Sequence, residues 1–242
     1  MKYSLRKQSK ERSNISLEQV QQEPPLWKSP LTWLCAAGSA LLIGVPLVID
    51  GLTHRVDSAL FVDVSLSNQP YQTSIEALCR QYVGHLVEGD VRILGKFADR
   101  VTILNNQEFQ ERDRLSIQNQ CKQITMQPSE IGRVPGTSLV DALSRLETEI
   151  GHQQSQGNIQ PVAAVVVIQA AELVNHQQQD FTVIQSKIEA IIHKGGAIAI
   201  IGPDVDLQNQ LSHQLSSVRN TQICTYSDSQ ACLDWLFQIG RK

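Results

Sequence analysis

The chain has 242 residues and a formal net charge of −3, so it has room for a polar tail and one domain with a full hydrophobic core. Aromatic residues make up 5% of the chain and basic residues do not exceed acidic ones, which argues against nucleic acid as a partner. The cysteines form no Cys-x-x-Cys pair and no Cys/His cluster at zinc spacing, which argues against a zinc site.

The N-terminal segment is polar and shows no regular apolar spacing. Its basic side chains are Lys2, Arg6, Lys7, Lys10, Arg12 and Lys28. A polar, charged segment of this kind does not bury enough apolar surface to fold by itself. We therefore interpret residues 1–30 as a cytoplasmic polar tail.

The next segment, from Leu31 to Ile49, is 19 residues without a charged side chain. This is close to the roughly 20 apolar residues that span a bilayer as a helix. Trp27 and Trp33 lie near its start, where aromatic residues favour the membrane interface. We predict a single-pass transmembrane helix over residues 31–50; a cleaved signal peptide is the alternative, although its apolar core would be shorter.

The flanking charges predict the orientation of this helix. Basic residues dominate the N-terminal flank, so the positive-inside rule places the tail in the cytoplasm. The remainder of the chain would then lie on the periplasmic or extracellular side. We predict a linker over residues 51–58 and one folded domain over residues 59–242.

A short apolar run, Ala59–Val62, leads into Asp63, and Ser65 and Ser67 follow at every second position. Such a run predicts a buried strand of a parallel sheet, and ligands bind beyond the carboxyl ends of such strands. One carboxylate and two hydroxyls are hard oxygen ligands that suit Mg, Ca or Mn. The alternative is that Asp63 ends the strand and the serines cap the following helix.

Strands and helices alternate along the rest of the domain. Further strands are predicted at 91–97, 100–104, 161–168, 197–201 and 222–226. Helices are predicted at 74–86, from Thr137 or Ser138 onward, and at 181–193, 207–215 and 229–239, with a weak helical pattern over 107–124. The two-residue link at 98–99 predicts an antiparallel hairpin. The pattern predicts a three-layer, doubly wound α/β fold whose sheet is mostly parallel, with one antiparallel edge strand.

The series from Ala59 to Lys242 resembles a von Willebrand factor A-type domain. The segment Asp63-Val-Ser65-Leu-Ser67 is similar to the Asp-x-Ser-x-Ser loop of that family's metal-ion-dependent adhesion site, and Thr137 fills the threonine position of its second loop. The hairpin segment 89–101 and the segment 194–202 are similar to the family's hairpin and penultimate strand. The resemblance implies a divalent cation bound by Asp63, Ser65, Ser67 and Thr137.

The third loop departs from the family pattern. Where the family usually has Thr-Asp-Gly, this chain has Gln169-Ala170-Ala171, so Ala170 replaces the family's aspartate. Hard cations depend on ligand charge for affinity, so we expect weak metal binding. Glu172, two positions further on, is a candidate for compensating the lost charge.

Three functions are compatible with these residues. The first is a membrane-anchored protein-interaction module, in which an acidic side chain of a partner completes the shell of the cation. The second is a metal-free, degenerate domain that acts as a structural subunit or scaffold of a membrane complex. The third, a hydrolase acting through Asp63, lacks the second carboxylate that a phosphatase would need at Ser65. We predict that the protein is not an enzyme.

The soluble part of the chain contains four cysteines, Cys79, Cys121, Cys224 and Cys232. A domain of this size does not need disulfides for stability, so we expect four separate buried thiols. The alternative is two disulfides in an oxidising compartment, with Cys224 bonded to Cys232.

Overall fold

The structure, a computed structural model, describes residues 55–98, 100–125, 137–157, 159–170 and 180–242. The predicted tail, the predicted transmembrane helix at 31–50, most of the predicted linker and Glu172 lie outside the described residues. Within the described ranges, no helix combines the length and the apolar composition needed to cross a membrane.

A six-stranded sheet forms the centre of the domain. Its strands are β1 (Asp57–Asp63), β2 (Val91–Phe97), β3 (Val101–Glu108), β4 (Val162–Val167), β5 (Ala197–Ile201) and β6 (Thr221–Cys224). Their order is β3-β2-β1-β4-β5-β6, and every neighbouring pair is parallel except the β2–β3 hairpin. This confirms the predicted mostly parallel sheet with one antiparallel edge strand.

Within the described residues, six α-helices accompany the strands. They are α1 (Gln72–His85), α2 (Arg114–Thr125), α3 (Leu139–Ser155), α4 (Phe181–Ile192), α5 (Val205–Gln214) and α6 (Ser229–Gly240). Helices α1, α2 and α6 pack on one face of the sheet, around core residues such as Leu60, Tyr82 and Leu236. Helices α3, α4 and α5 pack on the other face, around Leu143 and Ile188. The three predicted layers are therefore present.

The apolar composition of the central strands is explained by their position between the two helical layers. Every residue of β1, β4 and β5 is buried. A strand that lies between two helical layers has no solvent face, so it is apolar almost throughout and not alternating. The two polar ends of β1, Asp57 and Asp63, are exceptions that require a local explanation.

Strand β3 is longer than predicted. The apolar pattern ended at Leu104, but the strand continues to Glu108, after a register shift opposite Leu94 and Gly95 of β2. Its side chains from Val101 onward are exposed or half-buried because β3 lies at an edge of the sheet, so its later residues can be polar. Strand β1 also begins earlier, at Asp57, inside the predicted linker.

The expectation of four separate thiols was wrong. Cys79 of α1 is bonded to Cys121 of α2, and Cys224 is bonded to Cys232. Packing of α1 against α2 brings the first pair to a Cα–Cα distance of 5.7 Å, and the short connection from β6 to α6 brings the second pair to 6.4 Å. Both distances lie in the range that a disulfide spans. The expectation that all four cysteines are buried was correct.

Candidate metal-binding site

The candidate site lies at the carboxyl end of β1, near the middle of the sheet. The chain runs outward from β1 to β2 and β3 and then returns to β4 on the other side of β1. Such a reversal of strand order opens a crevice at the carboxyl ends of the strands, where ligands of doubly wound folds bind. Asp63, the last residue of β1, is completely buried at this point.

The loop after β1 folds back onto the Asp63 carboxylate. The Ser65 N–H donates to Asp63 Oδ1 at 2.9 Å, and the Ser65 hydroxyl lies 3.0 Å from Asp63 Oδ2. The hydroxyls of Ser65 and Ser67 are 2.8 Å apart. The three side chains predicted from the sequence are thus in contact with one another.

Thr137 comes from a second loop, just before α3. Its hydroxyl lies 3.3 Å from both carboxylate oxygens of Asp63 and is fully buried. The neighbouring Ser138 caps α3 by accepting a hydrogen bond from the N–H of Asp141 at 3.2 Å. The Ser138 N–H donates to the carbonyl of Ala98 at 2.9 Å, which ties this loop to the end of β2. Of the two predicted cap residues, Ser138 is therefore the cap and Thr137 faces Asp63.

The donor set fits a hard cation. The hydroxyls of Ser65 and Thr137 contact the Asp63 carboxylate, and the Ser67 hydroxyl contacts that of Ser65. Oxygen ligands of this kind suit Mg²⁺, Mn²⁺ or Ca²⁺. Among the described residues, no group of three or more His, Cys, Asp or Glu side chains could hold a metal. Of the residues that the structure describes, Asp63 would be the one carboxylate to contact a cation here, together with the three hydroxyls.

The third loop provides no carboxylate in its described part. After β4, the Ile168 N–H donates to the carbonyl of Ile201 and the Gln169 carbonyl accepts from the Asp204 N–H at 2.7 Å. Ala170 follows and is partly exposed. The structure thus places Ala170 three residues after the end of β4, the strand that adjoins β1, at the carboxyl edge of the sheet.

Two residues that the sequence analysis missed, Asn68 and Tyr226, hold the backbone of Asp63 in place through hydrogen bonds. The Asn68 side chain donates to the carbonyl of Asp63 at 2.9 Å, and the Tyr226 hydroxyl donates to Asn68 Oδ1 at 3.1 Å. The ring of Tyr226 stacks on Tyr71 with centroids 5.3 Å apart. Burial raises the pKa of Tyr226, and the nearby Asp63 charge raises it further, so the phenol stays protonated as a donor.

Gly202 makes room for this tyrosine. Its φ of 87° is in the left-handed region, and a Cβ at this position would lie within 2.8 Å of three atoms of Tyr226.

Of the two supporting residues, Asn68 could have been found from the sequence, because it directly follows Ser67 of the predicted metal loop. Tyr226 is 158 residues away from Asn68, and no local pattern links the two.

Comparison with known proteins supports the fold. No protein-family model and no curated protein matches the sequence. An aerotolerance-related membrane protein from Bacteroides fragilis superposes with a TM-score of 0.55 at 14% identity, over 76% of this chain and 98% of that one. The vWF domain of the type V pili tip protein Mfa5 from Porphyromonas gingivalis gives 0.54 at 10% identity, over 77% and 95%. Manganese-loaded TRAP protein from Plasmodium vivax gives 0.53 at 14%, over 76% and 74%.

Identities this low establish a shared architecture and leave function to be argued from the site. The mostly parallel sheet with one antiparallel edge strand, the three layers and the position of the Asp63 loop agree with the expectation from the sequence. The described part of this chain has the fold of a von Willebrand factor A-type domain.

Proposed function

We propose that this protein is an interaction module that holds a divalent cation at Asp63, Ser65, Ser67 and Thr137 and binds an acidic group of a partner protein. The observation that carries the proposal is the convergence of these four side chains. Thr137 is 74 residues from Asp63 in sequence, and its hydroxyl nevertheless lies 3.3 Å from both carboxylate oxygens at the carboxyl edge of the sheet. Among the solved structures with this fold, the TRAP protein is manganese-loaded, which supports the choice of Mg²⁺ or Mn²⁺ as the first ions to test.

The charge balance explains why a partner would be acidic. Hydroxyl ligands are neutral, so Asp63 provides the only negative charge in the proposed ligand set. A bound divalent cation would supply the uncompensated positive charge that attracts a carboxylate from outside. Ser65, Asn68 and Tyr226 hold Asp63 in place, so the site is organised before a partner arrives.

We further propose that the domain lies on the periplasmic or extracellular side of a membrane, anchored by residues 31–50. Two observations support this placement. The anchor segment has its basic flank on the N-terminal side. The domain contains two disulfides, Cys79–Cys121 and Cys224–Cys232, and disulfides persist in oxidising compartments.

A metal-free scaffold is the second candidate, and one observation favours it. The Asp63 carboxylate already accepts hydrogen bonds from the Ser65 N–H, the Ser65 hydroxyl and the Thr137 hydroxyl. A buried carboxylate with this many donors is stable without a cation. Ala170 in the third loop favours the same candidate, because it removes the charge that would strengthen metal binding.

The two candidates are separated by thermal unfolding of the full chain with Mg²⁺, Mn²⁺ or Ca²⁺ and with chelator. A ligand that binds only the folded state raises Tm by mass action, so we expect a rise of about 2–5 °C at millimolar metal. Asp63→Ala should abolish the rise, whereas Asp206→Ala, an exposed carboxylate of α5, should retain it. A Tm that is unchanged by any of the three ions would favour the metal-free scaffold.

A further inference from the structure

Tyr226 lies in a short segment that a disulfide closes. Cys224 is the last residue of β6, and it is bonded to Cys232 in the first turn of α6, at a sequence separation of 8. We call this bond the site disulfide. Tyr226 begins the 3₁₀ turn between the two cysteines. The bond therefore restricts the backbone of the residue that donates to Asn68.

A continuous series of contacts leads from the site disulfide to Asp63. The Gly202 N–H donates to the Cys224 carbonyl at 2.9 Å, which fixes the end of β6 beside the residue that makes room for the Tyr226 ring. The Tyr226 hydroxyl donates to Asn68 Oδ1 at 3.1 Å, and the Asn68 side chain donates to the Asp63 carbonyl at 2.9 Å. The position of the closed segment is thus passed on to the loop that carries the Asp63 site.

The local polar contacts of the closed segment are weaker restraints. The Thr225 hydroxyl lies 2.7 Å from that of Ser227 and 2.6 Å from the Asp228 carboxylate, but these groups are exposed, so water competes for them. Stacking of Tyr226 on Tyr71 adds contact area between the rings and leaves the hydroxyl to be placed by the backbone. The site disulfide adds a covalent restraint that water does not displace.

The second disulfide offers a matched comparison. Cys79 and Cys121 join α1 to α2 at a sequence separation of 42, and we call their bond the helix disulfide. Neither helix contains a residue of the proposed ligand set. In the chain-entropy model a bond that closes a longer loop stabilises the folded state more. An effect on the site can therefore be separated from an effect on global stability.

We propose that the site disulfide is a positioning element of the Asp63 site. It holds Tyr226 against Asn68 and thereby raises the affinity of the site for the cation, so this inference rests on the proposed function. The site reaches its full affinity only after two electrons and two protons have left the Cys224 and Cys232 thiols. An oxidising disulfide takes them up by thiol–disulfide exchange. The reduced chain therefore binds the cation more weakly than the oxidised chain.

Hydrogen exchange of the full chain, with chelator present, tests the positioning without a cation. The variants are Cys224→Ala/Cys232→Ala and Cys79→Ala/Cys121→Ala. All four cysteines are buried, so alanine is an equivalent replacement in both pairs. We expect the backbone amides of residues 64–68, among them the Ser65 N–H that donates to Asp63, to exchange about tenfold faster without the site disulfide. Without the helix disulfide they should exchange at the wild-type rate, although Tm should fall further because the lost loop is longer.

The affinity for Mn²⁺ tests the consequence for the site. We expect removal of the site disulfide to weaken Mn²⁺ binding about fivefold, the value of one lost hydrogen bond, and removal of the helix disulfide to leave it unchanged. Tyr226→Phe keeps the ring but removes the hydroxyl that donates to Asn68, so it should weaken binding by the same factor with both disulfides intact. Removing the site disulfide from Tyr226→Phe should then have no further effect, since both changes act through the same contact.

Three results would overturn the proposal. They are equal exchange of residues 64–68 with and without the site disulfide, an equal loss of Mn²⁺ affinity on removal of either disulfide, and fully additive effects of Tyr226→Phe and removal of the site disulfide. A wild type that binds no Mn²⁺ would overturn the proposed function and the claim about affinity. The exchange rates would still decide whether the site disulfide positions the Asp63 loop.

Discussion

Asp57→Asn is expected to stabilise the domain at pH 8. Burial, together with the Asp90 charge, raises the pKa of Asp57 from 3.8 to about 7. At pH 8 the folded state must therefore carry an unfavourable buried charge that the unfolded chain does not bury. A shift of this size corresponds to roughly 4 kcal/mol, and asparagine removes the charge.

The sign of the pH dependence follows from the same shift. Because the pKa of Asp57 is higher in the folded state, the contribution of Asp57 to the free energy of unfolding is full below pH 3.8. It falls as the pH rises from 3.8 to about 7 and stays constant above that. Chemical denaturation at pH 5 and pH 8 measures the larger part of this loss, and Asp57→Asn should remove that part of the pH dependence. Asp206→Asn, at an exposed carboxylate, is the matched control. A variant less stable than the wild type at pH 8 would show that Asp57 is stabilised by its surroundings.

Arg241→Met should lower the free energy of unfolding by about 3–5 kcal/mol. Arg241 donates to both carboxylate oxygens of the fully buried Asp90, at 3.2 and 2.7 Å, and its guanidinium lies over the ring of Phe237. Methionine retains the packing of the methylenes on Phe237 but leaves the Asp90 charge without its cation. The N–H groups of Val56 and Val87 still donate to Asp90, so we expect a destabilised domain that remains folded.

The measurement is urea denaturation with an exposed ion pair as the control. Arg80 lies 2.7 Å from Glu76, with its side chain 44% exposed, in an i,i+4 pair on α1. Exposed pairs contribute about 1 kcal/mol or less, so Arg80→Ala should have a small effect. Equal losses in the two variants would show that burial adds nothing to the Asp90–Arg241 pair.

The architecture was predictable because its signals are local. The continuous apolar runs of β4 and β5 and the helical spacing of α4 and α6 each lie within about a dozen residues. A continuous apolar run indicates a strand with helices on both faces, and helical spacing indicates a helix with one face buried against the sheet. Asp63, Ser65 and Ser67 were found because they follow a buried strand directly. Thr137 was found only through the family resemblance, and the structure places it against Asp63.

The features that were missed depend on contacts between distant residues. Cys79 and Cys121 are 42 residues apart, and their bond exists because α1 packs on α2. Tyr226 reaches the site only because Gly202 leaves space beside β5. Asp57 was assigned to the linker at 51–58, and the predicted domain began at Ala59, the first residue of the apolar run. The burial of Asp57 follows from the position of β1 between β2 and β4, which no local pattern shows.

The central claim is that Asp63 and its neighbouring hydroxyls bind a divalent cation. Titration of the full chain with Mn²⁺ measures this directly. The electron paramagnetic resonance signal of the unbound ion reports how much Mn²⁺ is bound at each step. We expect one weak site in the wild type, no site in Asp63→Asn, and about tenfold tighter binding in Ala170→Asp, which restores a carboxylate at the third loop. Equal binding by the wild type and Asp63→Asn, or no binding by either the wild type or Ala170→Asp, would contradict the claim.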